Sequence, residues 1–199
     1  MVDSRISVPS GVSVPDEQMN EIQLADGDKL SVANKTTANL GYLAMFLWSN
    51  DDQFIGYVSG HTALWQPDDG EGESKVMTLN KAAISRINSH GNLCGKEKKA
   101  LNDIIFNIEA YGIYIKEEFR SQHKGSKLMY LFLHQLDSIG VEKLRVYSDI
   151  TPKALDGRSF YEQTGADRVN FWDLVYDVPK VVDAKRTRIA SYLLPDVLK

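Results

Sequence analysis

The sequence predicts a single α/β domain of mixed, α+β character. Two observations carry this: between Ile104 and Asp177 short β-branched and aromatic runs alternate with helical stretches, and one of those, Ser126 to Ile139, has the strongest apolar stripe in the chain. Length is the third, since 199 residues support one well-buried core and are few for two. The expected organisation is an arm over residues 1–20, one domain over 21–199 whose most regular part is 104–178, and a C-terminal helix over 181–194.

Taken in order, residues 1–20 mix Ser, Pro, Val and acids without helical or strand period. Arms of that composition are more often pinned by a partner chain than self-stabilised, so an oligomer or larger assembly through the arm is expected. A short strand is read at Glu21 to Ala25. Leu40, Leu43, Ala44 and Leu47 fall on one helical face, which predicts a helix within Thr36 to Ser49. Phe54 to Trp65, with Gly56 and Gly60 within it, reads as strand structure, one strand or a hairpin, and Pro67 to Ser74, with no apolar residue, as a solvated loop. Thr78 can cap a second helix over Leu79 to Asn88, and a third is expected from near Gly95 to Asp103. Ile104 to Ile108 and Tyr111 to Lys116 then read as strands. In the helix Ser126 to Ile139, Leu128, Leu131, Phe132, Leu136 and Ile139 make the stripe and Gly140 the stop. Lys143 to Ser148 is a short strand, Leu155 to Gln163 a short helix ended by Gly165, and Arg168 to Asp177 a final strand.

Composition removes several function classes. A net charge of −4, a pI near 5.6 and the lack of any dense Lys/Arg run argue against nucleic-acid binding. Cys94 is the sole cysteine, which excludes an intrachain disulfide and a cysteine-based zinc cluster and suits a reducing compartment. No apolar run approaches the ~20 residues of a membrane span, and the N-terminus lacks the basic start and apolar core of a signal peptide, so the chain reads as cytoplasmic. His61, His90, His123 and His134 show no metal-ligand spacing.

The chemistry sits in a strand-loop-helix stretch, Ile113 to Met129. A polar loop carrying Arg120, His123 and Gly125 runs directly into the N-terminus of the best helix. Unpaired N–H groups at a helix start, with the dipole behind them, form an anion site suited to phosphate. This stretch resembles the first motif of the GNAT N-acetyltransferase superfamily, a strand, then Arg/Gln-x-x-Gly-x-Gly/Ala, then a helix. Arg120 takes the first place, Gly125 the last, and Ser126-Lys-Leu-Met129 opens the helix. His123 stands where the family has its first Gly, so a non-glycine residue there either crowds a pyrophosphate or adopts positive φ. Downstream, Ser159-Phe-Tyr-Glu-Gln-Thr-Gly-Ala166 resembles the family's second motif at the family's spacing.

The resemblance implies a mostly antiparallel mixed sheet with splayed central strands flanked by helices, and acetyl-CoA as cosubstrate. It implies that pantetheine amides pair with the backbone of Ile113 and Ile115, and that Arg120, Gln122, His123, Lys124, Gly125 and Ser126 surround the pyrophosphate. It also implies direct attack of a primary amine, of a small molecule or a protein, on the thioester. Tyr161 falls at the position that often protonates the departing thiolate; Glu109 and Asp149 are the two carboxylates best placed to act as base. The alternative is a structural protein that keeps the scaffold without turnover, for example a bacteriophage virion component; the expected location is then the host cytoplasm or the virion.

Overall fold

The computed structural model describes residues 21–36, 41–65, 74–79, 95–100, 112–147, 158–170 and 173–195. Its N-terminal half is a meander: β1 (Glu21–Gln23), β2 (Lys29–Thr36), β3 (Gly41–Trp48) and β4 (Phe54–Trp65) pair antiparallel in succession. The β-branched and aromatic run expected to be strand is β4, with the same two boundaries, as one continuous strand and not a hairpin. The helix expected within Thr36 to Ser49 is overturned: Gly41–Trp48 is strand, and every residue from Tyr42 to Trp48 is buried. A strand buried on both faces shows no polar alternation, and its leucines fall on helical spacing by coincidence.

β5 (Ser74–Leu79) pairs antiparallel with the Gly60–Trp65 part of β4. Thr78 therefore lies in a strand and does not cap a helix; the rest of that expected helix, like the arm and the strand at Ile104 to Ile108, falls outside the described residues. Residues 95–100 are helical. β6 (Ile113–Ile115) pairs with the other part of β4, Gly56 to Val58, so β5 and β6 share one edge of a single long strand.

α1 (Lys124–Ser138) follows, then β7 (Lys143–Tyr147), α2 (Phe160–Thr164), β8 (Asp167–Arg168) and β9 (Asp173–Asp177). β7 runs parallel to β5 and antiparallel to β9, giving the order β1-β2-β3-β4-β5-β7-β9-β8 with β6 on β4. This is the mixed, mostly antiparallel sheet flanked by helices that the resemblance implies, and β6 and β7, the strands before and after α1, pair with different neighbours. The final strand is a hairpin in place of one run. Asn170 turns it, donating through Nδ2 to Asp173 Oδ2 and accepting from Asp173 N. The C-terminal helix begins earlier than expected, as α3 (Val178–Ala184) capped by Asp177 with Pro179 in its first turn, and continues after Lys185 as α4 (Arg186–Ala190).

One face of the sheet carries the main core. Leu128, Leu131, Phe132 and Leu136 of α1 pack among Leu43, Met45, Leu47, Val58, Leu144 and Leu174, all at or near zero exposure. Each such side chain contributes about 1.5–3 kcal/mol when buried. The opposite face buries Ala44, Phe46, Trp48 and Tyr57 with Ala100 of the 95–100 helix, whose Lys96 sets its ammonium 4.2 Å from the Trp48 ring centre.

Candidate functional site

Gly56 decides how β6 is seated. A Cβ there would lie 2.3 Å from the Tyr114 carbonyl oxygen and 2.6 Å from Ile115 Cδ1, so only glycine lets β6 approach. Ser59 N donates to Gly112 O and Lys116 N to Ile55 O, which fixes the hydrogen-bonded pairs of this ladder. Alternation then turns the N–H and C=O of Ile113 and Ile115 away from β4, to an edge on which no described strand sits.

Beyond β6 the chain makes a 3-10 turn at Glu117–Phe119 and enters α1 through Arg120 to His123. Ser121 and His123 both have positive φ, 62° and 58°, so His123 takes the left-handed conformation demanded of a non-glycine residue there. It is the N-cap of α1, with no side-chain cap bond, and its carbonyl receives Lys127 N. The N–H groups of Lys124, Gly125 and Ser126 precede the first intrahelical bond, and His123 gives them no side-chain cap bond; among the described residues no hydrogen-bond acceptor is found for them.

A cavity of about 300 Å³ opens at this point, lined by Ile115, Arg120, Ser121, His123, Lys124, Gly125, Ser126 and Phe160. A Cβ on Gly125 would sit 3.4 Å from the Phe160 ring and 3.5 Å from Ile115 Cγ1, in the cavity wall. Of the residues expected around a pyrophosphate, Arg120, His123, Lys124, Gly125 and Ser126 come together here. Arg120 folds back, its Nε donating to Ile115 O at 3.0 Å. Gln122 does not line the cavity; its amide donates to Glu118 O. Ile113 packs half-buried against the main core and offers only its backbone.

Phe160 and Ser121 are the lining residues that sequence reasoning missed. Ser159 caps α2 with a reciprocal box, its hydroxyl accepting from Glu162 N while Glu162 accepts from Ser159 N. That box makes Phe160 the first helical residue and rotates it to the cavity, while Tyr161, a helical step on, faces the core. The Ser-x-x-Glu spacing was the available signal. Glu162 also takes both Nε and an Nη of Arg168 at 3.0 Å; these bonds and the Ser159 N–H hold its carboxyl down at about 2.

Tyr161 is 8% exposed and belongs to the main core, edge-on to Phe160. Burial raises its pKa well above the usual tyrosine value, so it keeps its proton and is a poorer acid than an exposed phenol. Tyr57, on β4, is raised likewise by burial and by the neighbouring phenols of Tyr114 and Tyr161. Glu109 and Asp149, the two carboxylates expected as base, lie outside the described residues.

Two carboxylates from the β1–β2 turn reach the start of α1. Lys127 Nζ lies 2.6 Å from Asp26 Oδ1 and 2.8 Å from Asp28 Oδ2; Lys124 Nζ lies 2.5 Å from Asp28 Oδ2 and 3.6 Å from Asp26 Oδ2. Burial opposes ionisation of Asp26, but the bond and charge of Lys127 and the charge of Lys124 outweigh it and lower its pKa.

No family model matches the sequence. Among solved structures, the chain is similar to a tyrosine-to-phenylalanine mutant of the toxin AtaT bound to the C-terminus of the antitoxin AtaR and acetyl-CoA, at 12% identity and a TM-score of 0.43, over 72% of each chain. At that identity and score the likeness assigns no function to this chain. The comparisons give no support to a virion role. Among the described residues, no helix is long and apolar enough to cross a membrane.

Proposed function

We propose that the chain is an N-acetyltransferase that takes acetyl-CoA as cosubstrate and acylates a primary amine. The supporting observation is one continuous path: the outer edge of β6, unpaired by any described strand, runs into a turn and the unbonded N–H groups of α1, around one cavity. The edge offers the N–H and C=O of Ile113 and the N–H of Ile115 to the amides of a pantetheine arm, the Ile115 carbonyl being taken by Arg120, and the α1 N–H groups suit a pyrophosphate. Acetyl-CoA would supply the thioester carbonyl; the amine nitrogen forms the C–N bond as the C–S bond breaks, and overall the proton that the nitrogen loses is the one that the leaving thiolate gains. Arg120, held on the Ile115 carbonyl, shapes the phosphate end, and Gly125 leaves the space that a Cβ would fill. Tyr161 lies in the core beside Phe160 and burial keeps it protonated, so as the donor to the thiolate it would surrender its proton uphill.

Calorimetric titration with acetyl-CoA tests this. Binding is expected for the wild type and is expected to vanish in Gly125→Asp, which adds a side chain and a negative charge beside the phosphates. No binding by the wild type would sink the proposal. The burial of Tyr161 favours a second reading, an acyl-CoA-binding protein without turnover. Acetyl-CoA binding with no acetylation across a panel of polyamine, aminoglycoside and peptide amines selects that reading. If turnover is found, Tyr161→Phe is expected to keep acetyl-CoA affinity and lower turnover; equal turnover removes Tyr161 from the reaction.

A further inference from the structure

The first turn of α1 is cationic at the wrong end. It carries Lys124 and Lys127 and no acid, where the helix dipole is positive and disfavours ammonium groups. The compensating charges come from the far end of the sequence, Asp26 and Asp28. The two lysines are not equivalent. Lys127 is 3% exposed, bonded to both carboxylates and 5.9 Å from the Tyr192 ring centre, so it is locked in place. Lys124 is more open, with 19% of its side chain exposed, and it also lines the cavity. Its ammonium is turned to Asp28.

We infer that Lys124 is the ligand-responsive cation of the cavity, and that Asp28 sets how tightly an oxyanion of the pyrophosphate class is held by competing for that ammonium. This rests on the phosphate reading of the cavity given above. The exchange is permitted by the cluster: when Lys124 swings to the ligand, Asp28 keeps Lys127 at 2.8 Å, so no buried charge is left alone. A flexible four-carbon stem lets one ammonium serve both partners. Lys124 is thus a binding residue and Asp28 a positioning residue acting through it.

The probe is inorganic pyrophosphate, titrated calorimetrically beside acetyl-CoA at fixed salt. Asp28→Asn is expected to bind pyrophosphate about tenfold tighter than the wild type, and Lys124→Gln about tenfold weaker, the scale of one charge-assisted hydrogen bond. In the double variant most of the Asp28→Asn gain should disappear. A gain that persists in full there would assign the effect to the field of Asp28 alone and overturn the exchange. If Asp28→Asn does not fold, Lys124→Gln decides: a lowered melting temperature with unchanged pyrophosphate and acetyl-CoA affinity makes Lys124 merely structural. Acetyl-CoA binding without any response at Lys124 removes this inference and leaves the proposed function standing. Failure of the wild type and Lys124→Gln alike to bind either ligand removes both.

Discussion

The two ends of β4 meet the same edge requirement in opposite ways. Along Gly60 to Trp65 the strand is covered by β5, which hands the edge on to β7 and so to β9 and β8. Along Gly56 to Val58 it is covered by three residues of β6, beyond which no described strand pairs and the chain leads into a helix N-terminus. The first arrangement completes a core. The second leaves backbone groups and a cavity together, which is why the candidate site lies there. A sheet that closed along its whole length would have no room for a ligand between its strands.

The largest way to break this contrast is at Gly56. Gly56→Val puts side-chain atoms where Tyr114 O already lies at 2.3 Å from a Cβ, so β6 must detach. We expect a loss of roughly 4 kcal/mol in urea unfolding and no acetyl-CoA binding by the protein that remains folded. At the closed end, Leu79→Ala should cost about 2–4 kcal/mol through the cavity it leaves, with acetyl-CoA affinity of the folded protein unchanged. If Leu79→Ala weakened binding as much as Gly56→Val, the two ends would not be separable.

The smallest expected effect concerns the tie between the ends, since α2 offers Phe160 to the cavity while Glu162 holds Arg168 on the far strand β8. The Glu162 carboxyl is depressed from 4.5 to about 2 in the folded protein. Its stabilisation is therefore present above about pH 4.5 and is lost as pH falls from there towards 2. Melting temperatures of wild type and Glu162→Gln should differ at neutral pH and converge over that range. A constant gap down to pH 2 would show that the capping box, which Gln can partly keep, and the ion pair contribute nothing that titrates.

The parts of the molecule legible in sequence are those whose apolar residues keep the period of their element, whether or not one face is wet. α1 keeps its apolar stripe and β7 alternates, but the helix starts at Lys124, two residues before the expected Ser126, and of the two outcomes that the resemblance left open at His123, crowding or positive φ, the backbone takes positive φ. β3 was unreadable because Tyr42 to Trp48 are buried throughout, which erases the period of two. Phe160 was overlooked for Tyr161 because the helix start set by Ser159, and not the residue type, decides which ring faces the cavity. Asp26 and Asp28 could not be assigned to Lys124 and Lys127 at all, since pairing across about a hundred residues leaves no local signal.

The parallel pairing of β5 with β7 also bears on how the chain reaches this structure. β1 to β4 are joined by successive antiparallel neighbours, so each pairing closes a short loop, whereas β7 can dock on β5 only after α1 and everything between them has been gathered in. Folding should therefore proceed in two tiers, the meander first and the second half of the sheet later. Pulse-labelled hydrogen exchange would detect this as amides of β2 to β4 protected ahead of those of β7 and β9, and simultaneous protection would contradict it. Between the tiers β5 presents a bare strand edge, the template on which a second chain can pair, so the slow half of folding is also when this protein is most exposed to aggregation.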